Sequence, residues 1–124
     1  MRFLFFLLVT ATIATGCRNP ASSTPTTGLT GVVVRGPIAP VCRIDVACDA
    51  PFGAGFSVEQ HERHVGQFRS DAEGRFTVWL SPGAYRVVPD ADAPLMAPSS
   101  QAKTVEVGSV GLTAVRLEFD TGIR

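Results

Sequence analysis

Residues 70–89 read SDAEGRFTVWLSPGAYRVVP, and their alternation decides the fold. In Arg75 to Leu80 the apolar residues Phe76, Val78 and Leu80 fall at every second position, with Thr77 and Trp79 between them. That is the period of a strand with one face buried. The preceding DAEG is a turn in which Gly74 suits a position of positive φ, and Ser81-Pro82-Gly83 turns the chain again. Alternation then resumes in AYRVV, with Tyr85 and Val87 facing inward and Arg86 outward.

The same period continues on both sides. Strands are predicted in LTGVVVR (29–35), GFSVEQH (55–61), HVGQFRS (64–70), KTVEV (103–107) and TAVRLEF (113–119). With the two central strands this makes seven, separated by Gly, Pro, Asp and Ser clusters and by a proline-rich loop at 89–100. No window of about a dozen residues carries helical period. Nine prolines and twelve glycines fit a turn-rich chain, and the pattern predicts an all-β, seven-stranded sandwich of two stacked sheets. Eleven basic residues balance eleven acidic ones with no run of either sign, which argues against a nucleic-acid or other polyanion partner.

The series Asp-x-x-Gly-x-Phe, strand, Pro-Gly-x-Tyr-x-Val at 71–87 resembles the carboxypeptidase regulatory-like domain, a prealbumin-like (transthyretin-like) β-sandwich. Together with GPIAPVC, the second cysteine of VACDAP and the terminal FDTGIR, it makes residues 31–124 similar to small exported bacterial proteins that carry this domain. The resemblance implies structural roles for the motif. Asp71 caps its turn, Gly74, Pro82 and Gly83 set turn geometry, and Tyr85 buries its ring while its hydroxyl finds a backbone partner.

The N-terminus reads as a leader. Arg2 precedes the apolar FLFFLLV (3–9), which is too short to span a bilayer. Ala14-Thr15-Gly16-Cys17 resembles the lipobox of bacterial lipoproteins, implying a signal peptide at 1–16 and a diacylglycerol on Cys17. The alternative is ordinary cleavage after Ala14, leaving a free thiol. One acyl chain anchors only marginally, so a multiply acylated cysteine is the stable handle. Residues 17–28, small, polar and twice interrupted by proline, form a flexible tether to a domain at 29–124. Arg18 stands where inner-membrane retention usually has aspartate, which points to the outer membrane of the cell envelope. The membrane is then one partner, with an envelope protein or glycan as the other. The oligomeric state is open.

In an oxidising compartment Cys42 and Cys48 are expected to bridge each other. A metal site from Cys42, Cys48, His61 and His64 is the competing arrangement. Its cysteine spacing is too wide and its histidine spacing too tight for the usual zinc pairs. No cofactor is expected. Enzymes sharing the prealbumin-like fold use two tyrosines and two histidines on iron, or a C-terminal Tyr-Arg-Gly-Ser. This chain has one tyrosine and ends FDTGIR. Zinc carboxypeptidases carry the sandwich only as an appendage. His61 and His64, in VEQHERHVG, belong to a hairpin turn, so a non-catalytic module is the expectation and a metal-dependent enzyme around these histidines the lesser alternative.

Trp79, the only tryptophan, points away from the apolar face of its strand. With Thr77, Arg75 and Arg86 it is a candidate ligand contact for a sugar ring, unless residues 89–98 or the tether cover it. The FDTGIR ending is either a clasp on the sandwich or a recognition tail.

Overall fold

The computed structural model describes residues 24–124; the leader, Cys17 and tether residues 18–23 lie outside them. Eight strands run in chain order: β1 Gly28–Gly36, β2 Ala50–Pro51, β3 Gly55–Gln60, β4 Arg63–Arg69, β5 Arg75–Trp79, β6 Gly83–Pro89, β7 Lys103–Val107 and β8 Leu112–Asp120. All seven strands read from the sequence are among them. The count is corrected to eight by β2, whose two residues pair with Val34 and Arg35 of β1 and are too few to display a period. The proline-rich loop adds a single 3₁₀ turn at Pro98–Ser100.

The strands form two four-stranded sheets. In the first, β1 is central. β8 lies parallel to it over nine registered pairs, from Gly28↔Leu112 to Gly36↔Asp120. On its other flank β5 pairs antiparallel along the first half and β2 along the second. The second sheet is antiparallel throughout, in the order β4-β3-β6-β7. β3 and β4 are a hairpin whose turn residues His61 and Glu62 both have positive φ, 51° and 62°. The chain changes sheets through the DAEG turn between β4 and β5, and again through residues 80–82 between β5 and β6.

The inward residues of the two sheets meet in one core. Leu29, Val33, Phe76, Val78, Leu80, Leu117 and Phe119 face Phe56, Val58, Phe68, Tyr85, Val87, Val105 and Val107. Aromatic rings bind the layers together. Phe68 of β4 stacks on Phe76 of β5 with centroids 4.4 Å apart, and Phe56 stacks on Phe68 at 5.0 Å. Phe56, 1 % exposed, also touches Phe52 and Phe119. Burial of such rings is the main favourable term in a domain of this size.

Candidate functional site

The residues of the 71–87 stretch hold turns. The Asp71 Oδ1 accepts hydrogen bonds from the backbone N–H groups of Glu73 (3.0 Å) and Arg75 (2.9 Å), closing the turn. Gly74 has φ +74° and accepts at its carbonyl from Val33 N–H at 2.8 Å, which presses the turn against β1. The buried Tyr85 donates its hydroxyl proton to the Ser81 carbonyl at 2.6 Å. Gly83, φ +144°, follows Pro82 in that turn. Sequence reading missed Ser70. Its buried hydroxyl donates to Phe52 O (2.9 Å) and accepts from Ala54 N–H (3.0 Å), fixing the segment before β3.

Cys42 and Cys48 are joined in a disulfide, their Cα atoms 5.5 Å apart. The loop they clamp follows β1 and is tied at its base by Ile38 N–H to Cys48 O (2.8 Å) and by an Arg116–Asp49 ion pair (2.9 Å). It displays Ile38, Val41, Ile44 and Val46 to solvent. The histidine turn lies at the opposite end of the sandwich, since β3 runs alongside β6 toward the end where β6 begins. The four-residue metal arrangement is therefore not assembled: the thiols are bonded to each other, and the sandwich separates them from the imidazoles. Among the described residues no three His, Cys, Asp or Glu side chains converge as a metal set. His61 borders a shallow depression of about 210 Å³ with Glu59, Tyr85, Arg86 and Thr104, across which Arg86 pairs with Glu59 at 3.3 Å.

Trp79 is 53 % exposed. The proline-rich loop does not cover it. That loop lies at the other end, where Arg35 donates to Pro94 O and Met96 N–H donates to Asp120 O. Arg86 does not join Trp79 either, because β5 and β6 belong to different sheets and the two side chains leave opposite outer faces. Trp79 shares its face with Thr77 and Arg75 of β5 and with Thr30 of β1, whose hydroxyl lies 3.2 Å from that of Thr77. The register also sets Gly28 between Trp79 and Leu112.

The FDTGIR ending is a clasp. Asp120 exchanges hydrogen bonds with Gln101 (2.7 Å and 2.9 Å), and the Thr121 hydroxyl donates to Pro37 O at 2.6 Å. Gly122 packs on Met96. The Arg124 guanidinium, 2.9 Å from the Asp120 carboxylate, and then the Gly122 N–H lower the Asp120 pKa to about 2. The same pairing raises the pKa of Arg124.

A two-sheet, all-β sandwich whose motif residues hold turns defines the class of the protein. Among solved structures, the chain is similar to a DUF3823 family protein from Parabacteroides merdae (TM-score 0.53, 19 % identity, covering 77 % of this chain and 46 % of that one). It is similar also to one from Bacteroides ovatus (TM-score 0.51, 18 % identity, 74 % and 44 %). At this identity the likeness is one of fold, and the chain spans less than half the length of either. No protein-family model and no curated protein matches it.

Proposed function

We propose that the chain is a membrane-anchored, non-catalytic β-sandwich of the bacterial cell envelope, held by lipid on Cys17 and used for binding or structural interaction. One observation carries the non-catalytic reading. The polar side chains of the fold motif and of the chain's end are engaged in holding turns: Asp71 by two N–H groups, Tyr85 by Ser81 O, Ser70 by Phe52 and Ala54, Asp120 by Arg124. Among the described residues, the surfaces open to a partner include the outer sheet faces and the disulfide-clamped loop. The lipobox resemblance supports the anchor, and Arg18 the outer membrane.

The test is the intact mass of the mature protein from the membrane fraction, before and after reduction and alkylation. A chain starting at acylated Cys17, two hydrogens lighter than its reduced form, is the expected result. A chain starting at Thr15 with three free thiols would sink the anchor. A second reading, glycan binding, rests on the exposed Trp79 beside the Thr30 and Thr77 hydroxyls and Arg75. It predicts a change in tryptophan emission on titration with oligosaccharides, and an unchanged spectrum across a broad panel would remove it.

A further inference from the structure

The two ends of the sandwich differ in chemistry. At the end where the chain enters β1, Thr27 is pinned to Leu80 by reciprocal bonds, Thr27 Oγ1 to Leu80 O at 2.6 Å and Leu80 N–H to Thr27 O at 2.9 Å. Around this entry point Val110 is 87 % exposed, Leu112 40 % and Trp79 53 %. Leu112 and Trp79 flank Gly28, which has no side chain to separate them. Residues 24–29 and 108–112 contain no charge, and neither does the turn at 80–82. The charges of this end, Glu62 and Arg63 of the hairpin and the exposed Glu106 of β7, belong to the other sheet. An indole beside uncharged aliphatic side chains is the composition that settles at a lipid headgroup boundary.

We infer that this end of the sandwich, through Trp79, Val110 and Leu112, rests on the lipid surface to which Cys17 is joined; the inference builds on the anchored reading above. Chain length selects this end over the apolar disulfide loop. Thr27, where the chain is pinned, lies ten positions after Cys17, a reach of at most about 35 Å fully extended. β1 alone rises about 26 Å between Gly28 and Gly36, and the disulfide loop lies beyond it. Seating Ile44 on the same membrane would draw the tether nearly straight, whereas the entry end reaches the surface with chain to spare. The disulfide loop is thereby held outward.

Because Trp79 is the only tryptophan, its emission reports this end alone. The probe is a set of phosphatidylcholine–phosphatidylglycerol vesicles with brominated acyl chains, carrying the full lipoprotein whose acyl mass has been verified. Trp79 emission is expected to be quenched relative to unbrominated vesicles and shielded from acrylamide. The pair Val110→Ser with Leu112→Ser should lose the quenching while the protein still sediments with the vesicles. Sedimentation with an acylated Cys17 but unquenched emission would overturn the docking and leave the anchor standing. A mature chain without acyl mass would remove both. Emission that responds to soluble oligosaccharide and not to brominated lipid would give Trp79 to a sugar and overturn the docking.

Discussion

Gly74 and Gly111 make a matched pair for testing how the fold motif works. Both have positive φ, 74° and 64°. A Cβ added at Gly111 meets nothing within 4 Å. One added at Gly74 runs into the Val33 carbonyl oxygen and lies 3.0 Å from Pro51 Cβ. Alanine in the left-handed region costs about 1–2 kcal/mol. The loss of freedom in the unfolded chain returns roughly 0.4–1 kcal/mol of that. Gly111→Ala should therefore destabilise by at most about 1.6 kcal/mol. Gly74→Ala bears the same cost and also an overpacking of about 1–3 kcal/mol against backbone that cannot rotate away. It further weakens the Val33 N–H to Gly74 O bond, worth about 1 kcal/mol. The sum is about 2–6 kcal/mol, a fall in Tm on the order of 8 °C or more for a domain near this size. Urea unfolding followed by far-UV circular dichroism measures both variants. Equal losses would refute the claim that close approach to β1, rather than φ alone, makes Gly74 necessary.

Phe56→Ala should cost about 3–5 kcal/mol, since the ring fills the centre of a four-phenylalanine cluster, and Phe56→Leu far less; a loss below about 1 kcal/mol in urea melts would place the core elsewhere. The Asp120–Arg124 clasp should be acid-sensitive. Asp120 has its pKa lowered from 3.8 to about 2 on folding, so its contribution is complete above the ordinary value and fades as pH falls through about 2. The stability advantage of the native chain over Asp120→Asn in thermal melts should shrink across that window, and an advantage independent of pH would dismiss the ion pair. Replacing Cys42 and Cys48 with serine should cost roughly 2 kcal/mol, the entropy of so short a closed loop. Unfolding unaffected by reductant would show that the bridge leaves stability unchanged.

Much of the fold was legible because a strand with one buried face writes its period into every second residue. Phe76, Val78 and Leu80, then Tyr85 and Val87, then Leu117 and Phe119 are all buried as that period requires. Turn chemistry is equally local: Asp71 and Tyr85 each bond to backbone four residues away. Pairing across long separations leaves no such trace. Nothing in LTGVVVR or TAVRLEF announces that they lie parallel with a register offset of 84 residues. The grouping of Trp79 with Arg86 failed for a related reason: a turn of three residues ordinarily joins hairpin partners, yet this one carries the chain from one sheet to the other. The exposure of Ile38, Val41, Ile44 and Val46 was hidden too, because an irregular apolar loop around two cysteines has no periodicity from which to read a direction.

The central position of β1 has a mechanical consequence. Tension applied through the chain's N-terminal segment enters at Gly28 and acts along the axis of a strand bonded on both flanks, to β5 and β2 on one side and to β8 on the other. Such a load is borne in shear. Both ladders must slip together before β1 can leave, whereas an edge strand would peel away one pair at a time. The most force-resistant element of the sandwich is thus the one in line with the segment through which a pull would arrive.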